Sequence, residues 1–319
     1  MELFIIRLLK LTHQPSRKSQ GFTLIELLVT ALIGSIIVTG LLFLTNELLT
    51  SDRRESTKTE TQRDLNLALD FMGAELREAI YVYPNAACLL AATPDAECLD
   101  SGSRIITSGR VTLPANSGVP VLAFWKQESL DSDLVAECAG SSPDPSIPCI
   151  KGNAYSLVVY SFNEGTNDIE GEAAIYRYDM RMALDSGAVA AGYLPPIEAQ
   201  AIKFRNWPHS DGPATFSEPE LLVDFVDDHN ATTLACPSTE YQVTPSSGGS
   251  DSFYACVKNV TLTSGTSTTV GTAVADGNQD IVIRLRGNAK NRSSLIGDES
   301  FLPVLESHVS VRGSVNRPL

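Results

Sequence analysis

Residues 21–45 read GFTLIELLVTALIGSIIVTGLLFLT, and this stretch decides how the rest of the chain is organised. Its last nineteen residues, Leu27 to Thr45, contain no charged side chain. As a helix rising roughly 1.5 Å per residue, they would reach about 30 Å, the thickness of the hydrocarbon core of a bilayer. A helix that is apolar on every face over this length is typical of a membrane span, and the sequence predicts a single-pass protein.

The residues before this span differ from an ordinary secretory signal. The basic tract HQPSRKSQ (residues 13–20) is followed by Gly21, and the long apolar run begins only after it. An ordinary signal peptide would be cut after its apolar region and would lose the span. Because basic residues favour the cytoplasmic side of a membrane, we expect the tract to stay inside and the rest of the chain to lie outside.

One carboxylate, Glu26, interrupts the apolar stretch. A carboxylate at membrane depth costs on the order of 2.5–3.5 kcal/mol, and such residues generally have a partner. The alternative is that Glu26 lies near the headgroups and reaches toward water. Cleavage after Gly21 would create an ammonium group on Phe22, one helical turn before Glu26. In a bundle of such helices, the Phe22 amine of one subunit could pair with Glu26 of its neighbour.

The run GFTLIELLV (residues 21–29), behind a basic leader and ahead of an apolar helix, resembles the class III signal of type IV prepilins and type II secretion pseudopilins. The resemblance implies that a prepilin peptidase cuts after Gly21 and methylates the amine of Phe22, and that Glu26 guides subunit assembly. It also implies two further kinds of partner, other pilin or pseudopilin subunits and an inner-membrane assembly platform, while the apolar span itself predicts membrane lipid around one helix. The competing interpretation is an unprocessed signal anchor that carries an unrelated outer domain.

A second helical pattern follows the polar tract of residues 51–64. Its apolar residues recur at spacings of four, three, four and four, which is one stripe of a helix, and Pro84 is expected to end it. The stripe comprises Leu65, Leu69, Met72, Leu76 and Ile80. We therefore divide the chain into a leader peptide (1–21), a transmembrane N-terminal helix (22–50), the amphipathic half of the same helix (51–83) and a β-rich globular head (84–319).

The head shows short runs of alternating or continuous apolar residues, which predict antiparallel strands. Residues 163–172 are predicted to form a long hairpin loop between two of them. The fold class is therefore α+β, with a long helix packed on an antiparallel β-rich, pilin-like head. The predicted strands cover residues 119–125, 154–162, 173–180, 220–226, 253–262, 281–287 and 307–313.

The order of these runs is similar to that in large minor pilins of the PilW type and minor pseudopilins of the GspJ type. The length, the sequence RNWP (residues 205–208) and the run LPVLESHV (residues 302–309) are similar to hormogonium polysaccharide secretion pseudopilins of the HpsC type. The likeness implies a minor subunit of a pilus or secretion filament.

Six cysteines fall into three local pairs, which favours disulfide-closed loops in an oxidising compartment. Zinc coordination, the competing interpretation, prefers cysteines two to four residues apart, and the shortest gap here is larger. Spacing alone leaves every connectivity open, and pairing between neighbours is our preferred hypothesis. The candidates are Cys88 with Cys98, Cys138 with Cys149, and Cys236 with Cys256.

Charge and composition exclude several functions. The leader carries +3 and the whole chain −14, so residues 22–319 carry −17, a charge that repels nucleic acid. His13, His209, His229 and His308 are scattered outside any metal-binding spacing, and the sequence has no nucleophile elbow or phosphate loop. We expect no enzyme activity, no cofactor and no resident metal.

Two remaining features have alternative interpretations. The run VDFVDDH (residues 223–229) concentrates carboxylates that could hold calcium, but it lacks the usual calcium-loop pattern, so a solvated loop is the favoured interpretation. Trp125 and Trp207 are expected to be core or interface residues rather than sugar platforms.

Three functions are compatible with these features. A filament subunit is favoured. A membrane-anchored module that binds a surface or a polysaccharide is the alternative. A membrane-anchored enzyme has no supporting residue.

Overall fold

The computed structural model describes residues 21–86, 99–100, 103–104, 111–112, 114, 117–130, 132–142, 147, 149, 152–165, 169, 171–182, 190, 193, 214–229, 234–246, 249–258, 279–289 and 302–311. Leader residues 1–20, His13, Cys88, Cys98, Trp207 and His209 lie outside these ranges. Between Arg53 and Arg54 the chain divides into two compact units.

Helix α1 comprises Leu24–Glu78 and contributes to both units. In the first unit its apolar side chains are exposed throughout, which agrees with a segment built for lipid or for other helices. In the second unit the predicted stripe is buried, with Leu65, Met72 and Leu76 fully inaccessible and Leu69 nearly so. This confirms the amphipathic pattern for these four positions.

The predicted continuation of the helix to Tyr83 is wrong. Helix α1 ends at Glu78, and Ala79–Val82 forms strand β1. The backbone of β1 pairs antiparallel with the strand that contains Trp125, and Tyr81 and Tyr83 are buried against the sheet. Ile80, which matched the helical spacing, therefore belongs to a strand. Pairing with a partner distant in sequence outweighs the local helical period.

In the described residues, the head is built from strands and one short helix. All seven predicted runs overlap strands, and the α+β class is confirmed. Predicted strand residues 259–262 and 312–313 lie outside the described ranges, and the other predicted ends are displaced by zero to four residues. The remaining elements are β2 (Leu99–Asp100), β3 (Ser103–Arg104), β4 (Val111–Thr112), β5 (Val119–Ser129), α2 (Ser132–Cys138), β6 (Asn153–Glu164), β7 (Ala173–Met180), β8 (Ala214–Thr215), β9 (Glu220–Val226), β10 (Tyr241–Thr244), β11 (Phe253–Lys258), β12 (Asp280–Arg286) and β13 (Val304–Ser310).

Two antiparallel sheets form the body of the head. The first has the order β1-β5-β6-β7-β9 and the second β10-β11-β12-β13. Side chains of both sheets and of α1 share one apolar core, with Phe124, Ile175, Phe253 and Ile283 among its members. The opposite face of the first sheet covers a second core around Trp125. The indole of Trp125 is fully buried and donates to the Tyr83 hydroxyl at 2.9 Å, which confirms its expected core position.

The two sheets are joined by hydrogen bonds from single side chains. The buried amide of Gln279 accepts from the Val82 nitrogen at 2.9 Å and donates to the Val82 oxygen at 3.0 Å, as an adjacent strand would. The Thr244 hydroxyl donates to the Val121 oxygen at 2.7 Å and accepts from the Ala86 nitrogen at 3.0 Å. These contacts hold the first residues after α1 against the second sheet.

We expect Gln279→Leu to lower the free energy of unfolding by about 1–3 kcal/mol, because the buried Val82 amide and carbonyl both lose their partner. Chemical denaturation of the full chain in detergent would measure the change. Gln127→Leu is the matched control, since Gln127 is exposed on β5. Equal stability of the two variants would contradict this account of the junction.

Candidate functional site

Helix α1 begins immediately after the proposed cleavage point. Thr23 closes its first turn, because its carbonyl accepts from the Leu27 nitrogen at 3.2 Å and its hydroxyl accepts from the Glu26 nitrogen at 3.3 Å. Threonine followed three residues later by glutamate is the sequence signature of a helix N-terminus. The local sequence therefore starts the helix at Leu24 and leaves Gly21 and Phe22 ahead of it.

The residues around this start are accessible. Phe22 is 75% exposed and Leu24 85% exposed, and Glu26 is also exposed. A side chain built on Gly21 would meet no atom within 4 Å. The structure therefore places all three sequence-predicted residues, Gly21, Phe22 and Glu26, in one unobstructed segment.

The apolar part of α1 has the properties that a membrane span requires. Its most apolar 18-residue window has a mean hydropathy of 2.6 and none of that window is buried, so by length and composition it can cross a membrane. The hydroxyls of Thr30, Ser35, Thr39 and Thr45 each donate to a backbone carbonyl three or four residues earlier. Polar side chains satisfied within the helix need no water, which suits a hydrocarbon environment.

Comparison with known families identifies a motif in the same segment. Residues 16–42 match the model of the prokaryotic N-terminal methylation motif. The motif indicates a type IV pilin-like prepilin. In general it implies a membrane-anchored structural protein that a prepilin peptidase processes and that assembles with other pilins. No curated protein and no solved structure matches the chain.

Two disulfides are present in the part of the head that the structure describes. Cys138 at the end of α2 bonds to Cys149, and Cys236 bonds to Cys256 on β11. Both are pairings between neighbours in sequence. The third candidate pair, Cys88 and Cys98, lies outside the described residues.

A buried charge network connects α1 to the first sheet, and it was not predicted from the sequence. The carboxylate of Glu75 accepts from Lys126 at 2.8 Å and from the Tyr160 hydroxyl, and it receives two bonds from the Arg177 guanidinium, at 3.0 and 3.1 Å. We call these four residues, Glu75, Lys126, Tyr160 and Arg177, the Glu75 clasp. All four are at most 8% exposed.

The clasp continues toward the surface through further ion pairs. The third guanidinium nitrogen of Arg177, Nη1, which is not part of the fork on Glu75, contacts Asp179 at 3.0 Å and Glu220 at 2.9 Å. Lys126 also contacts Glu128 at 2.8 Å. The sequence contained one sign of this network. Arg177 and Asp179 are charged residues at alternate positions of β7, a strand that is almost wholly buried. Their partners lie in other elements and could not be found from spacing.

The pKa values of two buried carboxylates, Glu75 in the clasp and Asp179 beside it, are lowered. Burial acts to raise the pKa of Glu75, but hydrogen bonds from Arg177, Lys126 and Tyr160 outweigh it and hold the pKa below its usual value. Burial likewise acts to raise the pKa of Asp179, and the bond from Ser217 with the nearby arginine charges lowers it. A carboxyl group whose pKa is lowered by folding stabilises the fold above its ordinary pKa, and this contribution is lost as pH falls through the lowered value.

The acidic run at residues 223–229 is not a simple solvated loop, so that expectation is wrong in part. Asp228 and His229 are exposed, but Asp227 is only 5% exposed and contacts Arg286 at 3.0 Å. Its backbone nitrogen also donates to the Arg286 oxygen at 3.1 Å, which joins β9 to β12. Carboxylate oxygens of Glu172, Asp227 and Asp228 lie within 4.8 Å of one another. The buried member of this group is engaged in joining the two sheets.

Proposed function

We propose that this protein is a minor pilin or pseudopilin subunit of a type IV pilus-like or type II secretion-like filament. It is cut between Gly21 and Phe22, methylated at the new amine and assembled through α1. The observation that carries the proposal is the methylation motif at residues 16–42, located at the accessible start of a helix whose apolar half is wholly exposed. Such a filament would support pilus assembly, motility, or secretion of protein or polysaccharide.

The assembly step follows from electrostatics. Cleavage gives Phe22 an ammonium group, and Glu26 lies one helical turn along α1. Within lipid or a helix bundle, an unpaired carboxylate is costly and a paired one is stabilised by the low dielectric. The Phe22 ammonium of one subunit would therefore neutralise Glu26 of its neighbour and set the relative position of their helices. Lateral packing of the apolar halves would replace contacts with lipid.

Before assembly, the chain would be held in the inner membrane by one span. The basic leader would stay on the cytoplasmic side and the disulfide-bonded head would face the oxidising side. An assembly platform would then extract the subunit. The size of the head favours a minor, tip or priming subunit, of the PilW, GspJ or HpsC-like type, because large heads are difficult to accommodate at every position along a filament.

Processing provides the direct test. In cells that carry a prepilin peptidase, we expect the mature chain to begin with N-methylated Phe22, and we expect Gly21→Leu to retain its leader. Gly40→Leu is the control, because a side chain at either glycine would meet no atom within 4 Å of its own subunit. Mass spectrometry of the N-terminal peptide distinguishes the processed from the unprocessed chain.

An active wild-type protein that keeps residues 1–21 would refute the proposal. Processing of the Gly21→Leu variant at the same point as the wild type would show that the peptidase does not read this glycine.

A further inference from the structure

The apolar stripe of α1 does not by itself select one axial position on the sheets. Its members recur every three or four residues, so a slide of four residues would place Leu69 where Leu65 lies and Leu76 where Met72 lies. Apolar surface would still meet apolar surface after the slide. Because the hydrophobic effect is non-directional and proportional to buried area, it discriminates weakly between such positions.

The Glu75 clasp discriminates strongly between axial positions of α1 on the sheets. One carboxylate receives four hydrogen bonds, three of them from charged groups, and the Arg177 fork approaches it with two parallel donors. Bidentate pairs of this kind impose a direction as well as a distance. Lys126 is on β5, Tyr160 on β6 and Arg177 on β7, so the carboxylate is fixed against three adjacent strands.

A displaced helix could not satisfy the clasp. A slide of four residues would bring Phe71 or Ala79 to the position of Glu75. Lys126 and Arg177 would then lose the carboxylate they share, Lys126 keeping Glu128 and Arg177 keeping Asp179 and Glu220. A slide of three residues could bring Glu78 there, but it would move Glu75 into the apolar surroundings of Met72. The first arrangement leaves two buried cations with fewer compensating charges and the second buries an uncompensated carboxylate; both are more costly than imperfect apolar contact.

We infer that the Glu75 clasp, rather than the apolar stripe, holds α1 at a single axial position on the head. Buried ion pairs often add little net stability compared with apolar replacements, and their best-attested role is to specify register. The clasp fits that role because its donors come from a rigid sheet and its one acceptor comes from the helix.

This device matters for a protein that is moved by its N-terminal segment. If the chain is extracted from the membrane through α1, a consequence that rests on the proposed function, the pulling force enters the head along the docked part of the helix. A helix position fixed by the clasp would keep the head in place on α1. Apolar contact alone would allow the helix to slide along the sheets.

Hydrogen exchange of the full chain in detergent tests the inference, and it does not depend on whether the leader is removed. We expect Glu75→Gln to speed exchange of the amides of residues 65–76 by about 100-fold, because it removes the charge of the one helix carboxylate that Lys126 and Arg177 share and leaves these buried cations to Glu128, Asp179 and Glu220 on the sheet. Amides in β11 and β12 should change by roughly threefold or less, since the backbone ladders of these strands are made with one another and with β10 and β13 rather than with α1. Glu78→Gln is the matched control: the same chemical change, three residues on, at an exposed position.

The following outcomes would overturn the inference about the clasp. Exchange at residues 65–76 that is alike in the Glu75→Gln and Glu78→Gln variants would overturn the inference. Equal acceleration across α1, β11 and β12 would also overturn it, because the carboxylate would then contribute only to global stability. If Glu75→Gln does not fold, Lys126→Met removes one cation and keeps the Arg177 fork, and its exchange should rise about tenfold in residues 65–76 alone. No change in that variant would count against the clasp.

Discussion

Replacing Glu26 with glutamine is expected to leave the chain processed and held in the membrane but to exclude it from filaments. The substitution keeps the size of the side chain and removes the charge that would pair with a neighbour's Phe22 ammonium. An ion left unpaired at membrane depth costs on the order of 2.5–3.5 kcal/mol, so we expect incorporation to fall roughly tenfold or more. Immunoblotting of sheared filaments against membrane fractions would measure the ratio.

Glu47→Gln is the matched control for this experiment. Glu47 is also an exposed acid on α1, but it follows the uncharged run of residues 27–45 and lies far from the processed end. We expect this variant to assemble like the wild type. If Glu26→Gln assembles and functions as well as Glu47→Gln, the filament mechanism loses its electrostatic basis. The alternative of an anchored module that binds a surface or a polysaccharide would then be favoured.

Arg177→Met is expected to lower the free energy of unfolding of the head by about 3–5 kcal/mol. The arginine is 4% exposed and is shared between Glu75, Asp179 and Glu220. Methionine fills similar space, so the loss would come chiefly from leaving Glu75 and Asp179 buried with fewer compensating charges. Urea unfolding of the full chain in detergent, followed by tryptophan fluorescence, would measure the change.

Arg181→Met provides the comparison, because Arg181 pairs with the same Asp179 from a side chain that is 47% exposed. Exposed ion pairs contribute about 1 kcal/mol or less. A loss at Arg177 no larger than at Arg181 would show that burial of the network carries no special cost.

The candidate assembly segment could be predicted from the sequence because its properties are local. An uncharged run of nineteen residues indicates a helix able to span a membrane, and a threonine three residues before Glu26 is typical of the helix start that the structure shows. None of these features needs a distant partner. The same is true of β7 and β9, where short apolar runs bounded by turn residues gave the strand limits as the structure has them.

Features that depend on partners distant in sequence required the tertiary structure. Residues 79–83 matched a helical period, yet residues 79–82 form a strand that pairs with β5. Asp227 belonged to a run that looked solvated, yet it is buried against Arg286. Glu75 was one polar residue among many on an amphipathic helix, and only the folded head surrounds it with Lys126, Tyr160 and Arg177. Sequence alone therefore determined where the methylation motif lies and which part of α1 is an exposed apolar helix. The fold decided where the helix ends and what holds it in the head, because contacts between distant residues outweigh local preference.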